Sequence, residues 1–300
     1  MTGRFAPSPT GELHVGNLRT ALVAWLQARS TGQRFVLRID DLDPLVCRPD
    51  WAETQRRDLA AIGIDWDGAP LPQSTRRAAY DEAIGQLDRA GLVYRCYCTR
   101  AEIAAAAAAP NSAVLPGAYP GTCRNLSATK LSQLAQSRPP ALRLRAGVDI
   151  GEFQDLVLGL VSAPIDDVVL RRNDGVAAYN LATVVDDAYQ GISEVIRGDD
   201  LAPSTPRQIH LANLLGGATP RFGHVPLVIG PDGERLAKRH GAVSLQRLAA
   251  RGTSARQVVG LLAASLGLAD DGELTSAAEL VDQFSIERLP REPWVFEPGH

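Results

Sequence analysis

The feature that most constrains this chain's fold is the regular alternation of apolar runs and amphipathic stretches in its first 60 or so residues. Residues 2–6 suit a short strand. The following HVGNLRTALVAWLQARSTG reads as a helix, with Leu18, Ala21, Leu22, Trp25 and Leu26 at helical spacing and Gly32 as its stop. RFVLRID (34–40) predicts a buried strand. RPDWAETQRRDLAAIGI predicts a second helix with Trp51, Leu59 and Ile62 on one side. Strand, helix, strand, helix in so short a span predicts an α/β sheet with parallel strands. The first junction is a Pro/Gly loop, RFAPSPTGELHVGN (4–17), feeding a helix N-terminus. Unpaired N–H groups and the helix dipole favour an anion there. Gly11 and Gly16 let the backbone approach a ligand, and His14 adds a donor.

The middle of the chain departs from this rhythm. AEIAAAAAAPNSAVLPGAYPGTC pairs an alanine-rich helix with a Pro/Gly loop, polar RNLSATKLSQLAQ follows, and strand-like runs come at 141–146, 151–159 and 167–172. From about 178 the alternation returns: AYNLATVVDDAYQG as helix, SEVIRG as strand, STPRQIHLANLLG as helix, HVPLVIG as strand. The tail from 243 reads as helical. The expected organisation is a nucleotide-binding domain in two halves, 1–90 and 176–242, an inserted subdomain over 91–175 and a helical region over 243–300.

Apolar content is 45% and net charge −3, so any contact with nucleic acid must come from local arginine patches. No run of about 18 apolar residues predicts a membrane span, and no apolar signal core follows Arg4. A cytoplasmic protein without membrane contact is expected, with a monomer as the default. Four cysteines do not make a disulfide framework in a chain this long. Three of them form Cys96-x-Cys98-x20-Tyr119-x3-Cys123. Three thiolates and a phenol oxygen suit one structural Zn²⁺ in tetrahedral geometry; the alternative is a set of reduced, part-buried thiols, the state expected for Cys47. Of 31 Lys and Arg residues only Lys130 and Lys238 are lysines. Lys238 stands in GPDGERLAKRHGA (230–242) beside Arg235, Arg239 and His240. This is a solvated basic loop or a mobile point charge suited to a polyphosphate.

RFAPSPTGELHVGNLRTAL and RLAKRHGA resemble the two signatures of the class I aminoacyl-tRNA synthetases, in their glutamyl branch. FVLRIDDLD, YNLATVVDDAYQGISEVIRGDDL and HVPLVIG are similar to further landmarks of that branch, in order from residue 4 to about 250. The resemblance implies a Rossmann-like catalytic domain that forms glutamyl-adenylate from L-glutamate and ATP, with Mg²⁺ accompanying the ATP. It implies His14 at the phosphates and Lys238 at the leaving pyrophosphate as the catalytic pair. The ATP site implied is Pro7, Thr10, Gly11, His14, Gly16, Asn17, Arg235, Lys238 and Arg239. The glutamate site implied is Arg4, Ala6, Ser8, Asp40, Tyr179 and Arg197. Arg4 and Arg197 suit carboxylates as forked donors, Ser8 and Tyr179 add hydroxyls, and Asp40 suits the ammonium. Two positions depart from the branch: the second signature usually reads Lys-x-Ser-Lys, here Arg235-Leu236-Ala237-Lys238, and Asp40 stands where Glu is usual.

Only about 60 residues follow Lys238, which leaves no room for an anticodon-binding domain. This resembles the truncated form of the branch, whose acceptor is the queuosine base at the wobble position of tRNA(Asp), with the anticodon stem-loop in the catalytic cleft. The alternatives are a short synthetase charging the 3′ end of tRNA and an inactive tRNA-binding paralogue. The truncated form's zinc pattern also ends in Tyr-x3-Cys.

Overall fold

The computed structural model describes residues 1–107, 118–236 and 243–297. Strand β1 (Thr2–Phe5) ends at the Pro/Gly loop, and helix α1 (Val15–Ser30) carries the chain back to β2 (Arg34–Ile39), parallel to β1 with Arg4 beside Val36. Gly32 closes α1 with φ +65°, a conformation open to a residue without Cβ. Helix α2 (Pro49–Ala61) then leads to β3 (Leu71–Pro72), parallel to β2. Helix α3 (Arg77–Arg89) follows; its residues are an amphipathic run that the strand–helix pattern above passes over.

The cysteine-bearing part begins at β4 (Val93–Cys96), continues through α4 (Arg100–Ala107) and α5 (Ala128–Ala135), and returns at β5 (Ala141–Leu144). β4 and β5 are antiparallel, so Cys96 and Ala141 sit opposite each other as the segment leaves and re-enters the sheet. Helix α5 lies in the polar stretch, started by Ser127 accepting from the Lys130 N–H.

The run 151–159 reads as one strand but folds as a hairpin, β6 (Ile150–Asp155) and β7 (Gly159–Pro164). Asp155 turns the chain by accepting from the N–H groups of Val157 and Leu158, both at 2.9 Å. Strand β8 (Val169–Arg171) pairs with β5. Helix α6 (Tyr179–Tyr189), β9 (Glu194–Gly198), α7 (Thr205–Leu214) and β10 (Arg221–Val225) restore the α/β order. Pro226 ends β10, having no N–H to give, and β11 (Val228–Ile229) follows separately. β10 is parallel to both β9 and β6. The stretch 91–175 is therefore divided: its hairpin joins the sheet of the second half, while β4, β5 and β8 form a sheet of their own. Helices α8 (Leu245–Ala250) and α9 (Ala255–Ala264) are followed by short 3-10 turns and by β12 (Trp294–Val295), which pairs with β11.

The sheets β3-β2-β1 and β9-β10-β6-β7 meet at β1 and β9, where the Ser193 N–H donates to the Thr2 carbonyl at 3.0 Å. One apolar core joins α1, β1, β2, α8 and α9; a second joins α3, α6 and α7 to Leu144 and Leu170. Fully buried Arg19 of α1 clamps the first core to the chain's far end, donating to the Pro226 carbonyl (2.8 Å) and the Ser265 hydroxyl (3.0 Å). Among the described residues no helix is long and apolar enough to cross a membrane.

Candidate active site

The seam between β1 and β9 opens into a cavity of about 400 Å³ at the C-terminal ends of β1, β2 and β9, where strands running to opposite sides leave a crevice. Arg4, Ala6, Ser8, His14, Gly16, Asn17, Asp40, Tyr179, Arg197 and Arg235 all line it. Thr10 and Gly11 lie on the other side of His14, in a separate depression with Trp51, Ser244 and Arg247. Pro7 is buried in the loop, its carbonyl accepting from the Asp40 N–H at 3.0 Å. Lys238 and Arg239 lie outside the described residues.

His14 is the N-cap of α1. Its Nδ1 accepts from the Asn17 N–H at 3.3 Å, and the Asn17 side chain accepts from the His14 N–H at 3.2 Å. Burial first, and then the charge of Arg235, push the imidazole pKa down to about 4. It is neutral at pH 7, and with Nδ1 accepting, the proton sits on Nε2 as a donor. A Cβ on Gly16 would lie 3.0 Å from Cε1 and 3.1 Å from Nδ1 of that ring, so any larger residue would press the ring away from its place over the helix start. The preceding loop is held from α2, where Gln55 Nε2 donates to the carbonyls of Ser8 (3.1 Å) and Gly11 (2.8 Å).

Asp58, next on that face of α2, is buried, with an unpartnered Oδ2. Burial, then Glu12, raise its carboxyl from 3.8 to about 6. The folded state therefore binds this proton more tightly than the unfolded state, and stability falls as pH rises through that interval. Asp58→Asn should raise the unfolding free energy at pH 7 by about 1–2 kcal/mol, after allowance for screening by solvent. It should also flatten the stability profile between pH 4 and 6 in denaturant titrations.

Three buried guanidiniums face the crevice, and they are not equivalent. Arg4 gives Nε (3.2 Å) and Nη2 (3.3 Å) to the carboxylate of Asp187. Arg38 gives Nε to Asp40 at 2.8 Å and Nη1 to Asp187 at 2.5 Å, leaving Nη2 buried without an acceptor among the described residues. Burial works to raise both carboxylates. Arg4 and Arg38 outweigh it at Asp187, which ends below its ordinary range, but Arg38 does not fully offset it at Asp40, which ends above. Arg197 is 5% exposed and has no carboxylate within ion-pair distance among the described residues. It donates instead to neutral atoms: Nε to His224 Nε2 (3.1 Å), Nη2 to Thr205 Oγ1 (2.7 Å) and Nη1 to Tyr179 OH (3.4 Å). Burial lowers its pKa. Among the described residues the crevice thus holds one buried cation with no internal counter-ion, which is a site for an anion.

Sequence reading passes over Arg38, Asp187 and His224. A signal for Arg38 exists: an arginine inside an apolar strand run, two residues before Asp40 and so on the same face. Asp187 follows Tyr179 by eight residues of helix, roughly two turns. Nothing local marks His224.

A second, larger cavity of about 710 Å³ shares Ser8, Asp40 and Tyr179 with the first and is walled on its far side by Cys96, Tyr97, Cys98, Arg138, Arg143 and Arg172. In that wall the cysteine cluster is assembled. Cys98 Sγ is 3.5 Å from Cys123 Sγ and 3.6 Å from Tyr119 OH, and Cys96 Sγ is 3.3 Å from that OH. All three sulfurs lie within 4.8 Å of one another. Tetrahedral Zn²⁺ with bonds of about 2.3 Å to sulfur and 2.0 Å to oxygen needs edges of about 3.8 Å and 3.5 Å. The donor set fits such an ion, and all three cysteines are free thiols. Arg143 stacks over the Tyr119 ring at 3.7 Å.

The crevice at the sheet seam has a His-capped helix at one wall and a buried arginine at the other, and the chain that builds it is a class I tRNA synthetase. It belongs to the family of tRNA synthetases class I (E and Q), catalytic domain, which matches residues 1–299. Within that family it is 56% identical to the Glutamyl-Q tRNA(Asp) synthetase of Nocardia farcinica, over 98% of this chain and 92% of that one. It is 40% identical to the Glutamate–tRNA ligase of Geobacter sulfurreducens over 98% of its own length, and spans 63% of that protein. A crystal structure of a glutamate tRNA ligase from Elizabethkingia meningosepticum, in complex with its amino acid, superposes with a TM-score of 0.82 at 28% identity, covering 99% of this chain and 67% of that one. The chain is an enzyme, a ligase of the aminoacyl-tRNA synthetase kind.

Proposed function

We propose that this enzyme activates L-glutamate with ATP and transfers it to the queuosine base at the wobble position of tRNA(Asp). The observation that carries the glutamate assignment is Arg197, a buried guanidinium that lacks a carboxylate partner among the described residues. The orphaned Nη2 of Arg38 adds a second donor. Asp40, which faces the crevice, receives the substrate ammonium. The queuosine assignment is supported by the greater identity to the Nocardia farcinica protein than to the glutamate–tRNA ligase.

Activation joins an α-carboxylate oxygen of glutamate to the α-phosphorus of ATP and breaks the bond to the β-phosphate bridging oxygen, releasing pyrophosphate. The protein's part is positioning and charge stabilisation. His14 donates from Nε2 to phosphate oxygen, Gly16 and Asn17 open the helix start to the phosphates, and Lys238 with Arg239 and Arg235 meets the leaving group. Mg²⁺ bound to ATP would supply neutralisation of the phosphate charge. A hydroxyl of the queuosine cyclopentene ring, in the second cavity, then attacks the glutamyl carbonyl and AMP leaves.

Labelled glutamate with ATP and three RNAs tests this: tRNA(Asp) with queuosine, the same tRNA without it, and tRNA(Glu). Label on the first alone supports the assignment. Label on tRNA(Glu) makes the enzyme a short charging synthetase, and no label with no pyrophosphate exchange makes it an inactive paralogue.

Cys96, Cys98, Tyr119 and Cys123 are assigned to one structural Zn²⁺, which would tie α4 and α5 to the wall of the second cavity. Cys96→Ser should lose bound zinc and reduce transfer to RNA by tenfold or more, while ATP–pyrophosphate exchange stays within about threefold of wild type, because the crevice between β1 and β9 shares no residue with the cluster. Retained zinc and full transfer would refute the assignment.

A further inference from the structure

Arg197 is held by an unusual acceptor. Its neighbours in the crevice, Arg4 and Arg38, are oriented by carboxylates that also neutralise them. Arg197 Nε points instead at an imidazole nitrogen, His224 Nε2 at 3.1 Å. His224 and Arg197 are register partners on the parallel strands β10 and β9. The ring is fully buried and stacks on Phe222 with the planes 9° apart. On its other side Nδ1 is 2.6 Å from Asp155 Oδ2. Asp155 is itself buried, and its Oδ1 accepts from the N–H groups of Val157, Leu158 and His224.

These contacts determine the proton's place. An ionised carboxylate only accepts, so the proton of the Asp155–His224 contact is on Nδ1. Nε2 is then a lone pair, available to the Arg197 Nε–H and to the hydroxyl of Thr205, 3.2 Å away. A second proton on the ring would set N–H against N–H. Burial, and the adjacent Arg197, lower the His224 pKa, although Asp155 opposes them.

We propose that His224, oriented by Asp155, is a positioning residue for Arg197: it aims the guanidinium with a neutral acceptor and so leaves the arginine's charge for the substrate carboxylate. A carboxylate at this place would aim the arginine equally well but would consume its charge. The inference rests on the reading that glutamate binds at Arg197, and it extends that reading to what makes the pocket choose an acid over its amide.

Steady-state ATP–pyrophosphate exchange, with glutamate and ATP varied separately, tests it in Asp155→Asn, His224→Leu and His224→Gln. The first two should raise KM for glutamate about tenfold or more, the effect of losing a hydrogen bond to a charged group, with KM for ATP and kcat within about threefold. His224→Gln restores a neutral acceptor and should recover most of the glutamate affinity. A glutamate KM unchanged in folded Asp155→Asn and His224→Leu protein overturns the proposal; so does a kcat loss with KM intact. If those variants do not fold, long-range ¹H–¹⁵N spectra of wild-type imidazole groups decide. The Nδ1–H tautomer of His224 is expected at neutral pH, and the Nε2–H tautomer or the imidazolium overturns the proposal. That spectrum needs no substrate, so a wild-type enzyme that failed to activate glutamate would refute the proposed function and leave the state of His224 to be read independently.

Discussion

Arg197→Met should lower kcat/KM for glutamate in ATP–pyrophosphate exchange about a thousandfold, without lowering the melting temperature of the ligand-free protein. The first part follows from the cost of leaving a substrate carboxylate in a water-poor crevice without its cation, about 3–5 kcal/mol, where each 1.4 kcal/mol is tenfold. The second follows from the absence of an internal carboxylate for Arg197 among the described residues. Before substrate arrives, the arginine carries the desolvation penalty of a buried charge, and methionine of similar length carries none. Activity and stability are therefore expected to move apart at this position. Retained activity would mean that the carboxylate lands elsewhere in the crevice.

Arg38→Ala is expected to damage the fold as well as the pocket. Arg38 is fully buried and holds Asp40 and Asp187 together. Its removal leaves two buried carboxylates with only Arg4 between them and a hole the size of a guanidinium. Breaking a buried pair in this way costs about 3–5 kcal/mol, which in a domain of this size is a fall of about 10 °C in melting temperature. Arg38→Met fills the space but does not restore the charge balance, so it should recover only the packing part of the loss. Calorimetry of the two variants separates these contributions.

The first half of the sheet and both walls of the crevice are legible in the sequence because each is local. A strand, a Pro/Gly loop and a capped helix follow one another within 30 residues, and Arg4, Ser8, His14 and Asn17 fall on that one unit. Tyr179 and Arg197 likewise sit on a helix and the next strand. Partner choice is different. That Arg4 pairs with Asp187, 183 residues away, depends on which strand lies beside which, and periodicity carries no such information. The same holds for β6, whose pairing with β10 divides the expected insertion between two sheets. Reading 151–159 as one strand fails for a nearer reason: Asp155 satisfies two backbone N–H groups and turns the chain inside an apolar run.

The opposition of Cys96 and Ala141 has a consequence for how such an enzyme diversifies. A segment whose two ends are hydrogen-bonded neighbours is an appendix on the sheet: its length is free, because lengthening an already closed loop adds only about 0.6 kcal/mol per doubling. The cysteine-bearing wall of the second cavity, proposed above to meet the acceptor, can thus be redrawn, extended or exchanged between relatives while the crevice between β1 and β9, built at a different seam, stays as it is. Chimaeras joined at these two positions offer a direct route to new acceptors.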